Sequence, residues 1–278
     1  MVSETSTEEV KMRIRSRSKL GMSPRNTNPK SRGVVVAVVA AMVLLFGLAG
    51  AALADDAAES APPPTWSGSA GLSYLATTGN SDTSTLGFDF DLKRVPQPWG
   101  LEFTASYLKS SDSGDTTAER YGAVLRGDRK LSERWSVFLS GGAGKDRFAG
   151  FDFRGVLSAG ANYKMLLGPK FLLDFDMGLT WTSEQRIAAE DLDYLGGVGA
   201  LNFAWIPREG TTLSQKIKYF PNFDDASNWR LFSETAFQSA VAGPISIKLS
   251  YEVRYQNKPV PGFKETDTTA KAALVVSF

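Results

Sequence analysis

From Trp66 to Phe278 the chain keeps one habit: segments of about 10–13 residues alternate apolar and polar, separated by turn-forming residues. Successive strand residues point to opposite faces, so a sustained period of two describes strands with two unlike faces. In one segment Leu86, Phe88, Phe90 and Leu92 oppose Gly87, Asp89, Asp91 and Lys93. In another, Phe171, Leu173, Phe175, Met177, Leu179 and Trp181 oppose Asp174, Asp176, Thr180 and Thr182. A third sets Ile245, Ile247, Leu249, Tyr251, Val253 and Tyr255 against Ser246, Lys248, Ser250, Glu252, Arg254 and Gln256. The pattern predicts twelve strands, near 66–77, 84–94, 99–109, 118–129, 135–146, 152–164, 171–183, 193–206, 211–220, 228–240, 245–256 and 267–278. No convincing helix lies among them.

A soluble sandwich or a small barrel would also alternate, and three features separate the readings. The polar face carries full charges, which suit a wet lumen with the apolar face turned outward to lipid. An eight-stranded soluble barrel is already filled by its inward apolar side chains, so twelve strands closed the same way would leave a cavity or overfill it. All six tryptophans sit at predicted strand ends: Trp66, Trp99, Trp135 and Trp205 beside short turns, Trp181 and Trp229 beside longer loops. Two such girdles mark the two membrane interfaces. Finally, short links (Val95–Pro98, Leu131–Arg134, Leu167–Lys170, Ile206–Gly210, Ala242–Pro244) alternate with longer polar ones (Ser110–Thr117, Glu184–Asp191, Pro221–Asn228, Lys258–Thr266). The fold class predicted is all-β: a transmembrane antiparallel barrel of twelve strands, residues 65–278, in the outer membrane.

The N-terminal part fits that destination. Eight Lys or Arg residues (Lys11, Arg13, Arg15, Arg17, Lys19, Arg25, Lys30, Arg32) precede an apolar run from Gly33 to Ala54 ending in Ala52-Leu53-Ala54. Such a run can span a bilayer. Its Ala/Gly-rich end and the acidic Asp55-Asp56 that follow predict a cleaved signal peptide over 1–54 instead. Met22 is an alternative start that would shorten the basic region. Residues 55–64 read as a flexible Pro-rich periplasmic tail.

Composition narrows the chemistry. The chain has no cysteine and no histidine, which excludes thiolate metal sites and any Ser-His or Cys-His catalytic arrangement. A twelve-stranded lipase of the histidine-dependent kind is thereby removed, and no enzyme activity, cofactor or metal is expected. Of 31 basic and 30 acidic residues, eight and three lie in the first 54, leaving 23 and 27. The mature part is slightly acidic and offers no basic patch for nucleic acid.

Residues Gly71–Leu92, above all Thr78-GNSDTSTLG-Gly87, resemble the opening hairpin of the domain of unknown function 481 family. Its members are often labelled salt-induced outer-membrane proteins, and similarity of pattern runs on to Phe278. The resemblance implies an outer-membrane barrel with a link to salt or osmotic stress. It supplies no catalytic residues.

Candidate functional residues are the inward charges: Asp89, Asp91, Lys93, Arg126, Asp174, Asp176, Lys216, Lys218, Lys248, Glu252 and Arg254. Acidic Asp89, Asp91, Asp174 and Asp176 sit on two strands, and basic Lys216, Lys218, Lys248 and Arg254 on others. Charge segregated across a pore would orient permeating solutes. Charge paired across it would fill the lumen, so a passive channel for small hydrophilic solutes and a non-conducting structural barrel both stay open. A soluble secreted β-protein is a third, weaker reading. Asn80 and Asp82 in the Thr78–Thr83 turn, and the loop clusters Asp224-Asp225 and Glu190-Asp191-Asp193, offer cation oxygens but read first as solvated polar loops. The expected partners are outer-membrane lipid and lipopolysaccharide. Barrel-assembly machinery is expected to read the last strand, which closes on Phe278.

Overall fold

The computed structural model describes residues 66–77, 83–94 and 98–278. The expected signal peptide, the tail, the Thr78–Asp82 turn and the Val95–Gln97 link lie outside the described residues. Twelve strands are present: β1 (Trp66–Thr77), β2 (Thr83–Arg94), β3 (Trp99–Asp112), β4 (Asp115–Lys130), β5 (Trp135–Asp146), β6 (Phe151–Leu167), β7 (Phe171–Arg186), β8 (Leu192–Arg208), β9 (Thr211–Phe220), β10 (Arg230–Ala242), β11 (Ile245–Gln256) and β12 (Thr266–Ser277). Each pairs antiparallel with its chain neighbours, and β1 pairs with β12, so the sheet closes into a barrel. An even strand number puts both described ends on one side.

Two expectations about loops are corrected. The stretch Ser110–Thr117 is mostly strand, and β3 turns into β4 through Ser113 (φ 53°) and Gly114 (φ 89°). Two successive residues with positive φ match the twist of a hairpin. Likewise β7 continues through Glu184, Gln185 and Arg186, which shortens the loop to 187–191 and places Trp181 inside a strand.

The packing is inverted relative to a soluble protein. On β7, Asp176 is 6% exposed and its neighbour Met177 is 58% exposed. Thr180, Thr182, Glu184, Ser246, Ser250 and Glu252 are buried, whereas Leu72, Phe88, Leu179, Leu249 and Val276 are exposed. So wide an apolar wall would drive association in water, but in a bilayer it is the solvated face. Closure bonds β1 to β12 within the sheet over Ser69–Leu72 and Leu274–Ser277, as β-structure in hydrocarbon requires its backbone groups to be paired within it. Aromatic clusters mark both rims: Trp135 on Tyr163 (4.6 Å) and Phe171 stacked on Trp205 (6.4 Å) at the end holding the termini. Tyr219, Trp229 and Tyr255 cluster at the other end (5.7 and 4.9 Å).

The β1–β12 joint is the shortest. Its ladder runs over Ser69–Leu72 and Leu274–Ser277, extended by reciprocal backbone hydrogen bonds between Gly68 and Phe278 (2.8 and 2.9 Å). A hollow of about 470 Å³ on the outer wall, lined by Ala270, Ala272, Leu249, Phe237 and Leu213, reaches to Leu75 of β1.

Candidate functional site: the barrel lumen

Inward positions follow from the register. Asp89, Asp91 and Lys93 of β2 pair with Ser106, Thr104 and Glu102 of β3, and Lys216 and Lys218 of β9 pair with Glu234 and Phe232 of β10. In the half nearer the termini the interior is open. Asp91, Lys93 and Lys216 point inward and are nonetheless exposed. Val124 of β4 shares their side, opposite Thr104, and is 43% exposed. Asp91 lies within electrostatic reach of the ammonium groups of Lys216 and Lys248. Among the described residues no ion pair joins Asp91 to either lysine.

One wall of this half is filled by a network on Arg126 of β4. Its guanidinium donates to both oxygens of Asp176 on β7 (2.9 Å each) and to Asp128 two residues away (2.9–3.1 Å), lying 4.1 Å over the Phe138 ring. Asn162 donates to both Asp174 and Asp176 (2.9 Å), and Asn202 donates to Asp174 (2.9 Å). A buried carboxylate survives as the anion when it is held by a cation and by hydrogen bonds.

In the other half, side chains cross the lumen. Arg120 of β4 reaches Glu252 of β11 at 3.1 Å, five strands away round the ring, and Arg154 of β6 donates to Gln256 of β11 at 3.0 Å. Glu252 also meets Arg254 (3.2 Å) and Lys271 of β12 (3.1 Å). Lys271 in turn reaches past β1 to Asp89 (3.1 Å). Above this level the 257–265 loop folds across the mouth. Val260 and Phe151 are each 1% exposed, and Val260 and Phe263 press on Gly150 in the β5–β6 turn. The loop is tied to the β9–β10 loop by Lys258 on Asp225 (2.6 Å) and by Asn257 donating to the Ser227 carbonyl (2.9 Å). The Lys258 ammonium, aided by the Ser227 hydroxyl and N–H, holds the Asp225 carboxyl down to about 2. Asp225 is therefore committed to a lysine, and Asp191 accepts from the Arg186 backbone N–H. Among the described residues no group of three or more acidic side chains is arranged to hold a metal.

Of the two arrangements that the sequence leaves open, most of these charges take the paired one. Asp89, Asp176, Lys248, Glu252 and Arg254 are paired, Lys248 with Glu234 at 3.2 Å. The opposition survives at Asp91 against Lys216 and Lys248. Lys218 sits among Lys216, Asp176, Arg126 and Glu102. The sequence reading missed Arg120, Asp128, Arg154, Glu184, Glu234 and Lys271. Extending the period of two to every strand would have placed their side chains inward, but Glu184 was assigned to a loop and the others belong to weakly alternating segments.

A closed antiparallel ring with an apolar outer wall, two aromatic rims and a charged interior defines a transmembrane β-barrel of the outer membrane. The links on the side of the termini are the shorter ones, the arrangement that barrels of this kind have at their periplasmic end. The chain belongs to the family described as "Protein of unknown function, DUF481", whose model matches residues 70–278. It is 28% identical over 211 residues to the uncharacterized protein YdiY of Escherichia coli (strain K12), covering 74% of this chain and 79% of that one. Among solved structures it resembles an outer-membrane channel from Pseudomonas putida F1 (TM-score 0.46, 13% identity, 81% of this chain, 100% of that one). The NanC porin (0.44, 10%, 77% and 98%) and the translocator domain of the autotransporter NalP from Neisseria meningitidis (0.42, 11%, 87% and 97%) are also similar. These likenesses are of fold alone.

Proposed function

We propose that the barrel is a narrow channel for small hydrophilic ions, open on the periplasmic side and constricted where Arg120 meets Glu252 across the lumen. The observation that carries it is the inward exposure of Asp91, Lys93 and Lys216, which keeps unpaired charge in a wet vestibule below that crossing. Ions entering such a vestibule feel a transverse field from Asp91 to Lys216 and Lys248. Flux of small ions would let the envelope adjust when external salt changes, in line with the salt-induced label of similar proteins. The packing of Val260 and Phe151 at the outer mouth favours a second reading, a non-conducting structural barrel whose loops engage the envelope.

Single-channel recording in planar bilayers separates the two. A channel gives discrete steps, and Glu252→Gln, which unpins Arg120, Arg254 and Lys271, shifts its preference towards anions. Silence from protein that is demonstrably folded, in both forms, would sink the channel reading. Lipopolysaccharide around the outer rim and the assembly machinery at β12 are the partners we assign. The ring of Phe278 lies over Gly68, so Phe278→Ala should lower the outer-membrane yield in cells, and an unchanged yield would refute the assembly role.

A further inference from the structure

Two arginines at the outer mouth share one carboxylate, and a third lies beside it through Tyr194. Arg154 of β6, Arg186 of β7 and Arg230 of β10 surround Glu184, which is 1% exposed. Arg154 Nε lies 2.9 Å from Glu184 Oε1 and Arg186 Nε lies 3.6 Å from Oε2, close enough for attraction. Neither N–H is aligned to donate, and Glu184 Oε2 itself accepts no hydrogen bond. The Tyr194 hydroxyl donates to Oε1 at 3.3 Å and is also the side-chain partner of Arg230. The Nε and one terminal nitrogen of Arg230 are shielded from solvent and have no acceptor among the described residues. Asp191, close by in the β7–β8 loop, accepts from backbone and not from a guanidinium.

The cluster therefore holds an excess of two positive charges together with sheltered, unanswered N–H groups. Cations of one sign crowded in a low-dielectric site repel one another, and a bound anion relieves that repulsion. Guanidinium is the group best shaped for the task, because its planar fork offers paired N–H groups to two oxygens at once.

We propose that Arg154, Arg186 and Arg230 form an anion-binding site at the extracellular mouth that takes a small free oxyanion of the carboxylate, sulfate or phosphate type. The site lies on the inward face of the strands, away from lipid, so its ligand comes from solution and not from a lipid headgroup. It goes beyond the channel reading and does not require the lumen to conduct.

The test is calorimetric titration of the purified full-length protein in non-ionic micelles with sodium phosphate at constant ionic strength. One saturable site is expected. Arg230→Gln should weaken it at least tenfold, and Lys170→Gln, an equal charge change in the exposed β6–β7 turn at the opposite end of the barrel, should leave it unchanged. Glu184→Gln removes the competing carboxylate and should tighten binding severalfold, a gain that misfolding cannot mimic. Absence of saturation, equal losses in Arg230→Gln and Lys170→Gln, or no gain in Glu184→Gln would each overturn the site. So would binding of lipopolysaccharide without binding of inorganic phosphate. Conductance of the same preparations keeps the two ideas apart: binding with electrical silence leaves the site and removes the channel, and conduction without saturable binding does the reverse.

Discussion

Replacing Arg126 with glutamine deletes the cation that holds Asp176, and the structure sets the size of the loss. Deleting one member of a buried ion pair costs roughly 3–5 kcal/mol, because the other charge is left in a poor solvent. Two features reduce that figure here. The Arg126 side chain keeps 21% exposure, so lumen water reaches the site, and Asp176 retains the Asn162 donor at 2.9 Å. A loss of about 2–3 kcal/mol remains, roughly a 30- to 150-fold change in the folding equilibrium. Asp128 is more exposed, at 28%, so Asp128→Asn should cost no more than about 1 kcal/mol. The assay is urea unfolding in micelles, reading the midpoint at an unchanged slope. In the Arg126→Gln/Asp176→Asn double variant the two losses should fall short of additivity by about 2 kcal/mol, since neither charge is then left alone. An Arg126→Gln cost under about 0.5 kcal/mol, or strict additivity, would show that this wall is not held by the pair.

Asp225 titrates near 2 in the folded loop against an ordinary value of 3.8. A depressed carboxylate contributes stability that is present above its unfolded value and lost as pH falls through the folded one. The latch should therefore survive pH 4 and release near pH 2, with Trp229 fluorescence as the reporter; Lys258→Gln, which removes the pair at every pH, should abolish the transition near pH 2, and a transition that persists there would rule out the latch. Gly150 has φ +88°, and a Cβ there would stand 2.8 Å from Val260 Cβ and 2.9 Å from Phe263 Cδ2. Gly150→Ala should therefore lift the 257–265 loop and speed tryptic cutting after Lys264 by about tenfold, the equivalent of roughly 1.4 kcal/mol of lost closure; unchanged digestion would mean that the loop does not depend on this contact.

Strand number and facing were legible because lipid and lumen impose opposite demands on alternate residues, as in Leu86–Lys93 and Ile245–Gln256. Strand ends were not. Ser110–Thr117 reads as a loop because a hairpin standing clear of the membrane is wet on both faces, so alternation stops while pairing continues, with Thr83 still opposite Asp112. The lumen was legible as a set of charges but not as a set of partners. Arg120 and Glu252 lie 132 residues apart, and their meeting depends on how the ring closes and on the stagger of its strands. No local pattern encodes that distance. The arginine cluster at the mouth was hidden for a related reason: Glu184 and Arg186 extend β7 past the point where its outward face stops being apolar.

The short joint between β1 and β12 has a mechanical meaning. Every other pair of neighbouring strands is also joined by a turn of the chain, so if its hydrogen bonds fail it stays tethered. Here the two strands share four residues of ladder, the Gly68–Phe278 clasp and, from inside, the Lys271 side chain reaching past β1 to Asp89. A hoop under tension parts at its fastening. Whatever stretches this barrel, whether an unfolding force, a thinning bilayer or insertion run in reverse, meets least resistance there, and the ring would open as a single flap with its hairpins intact.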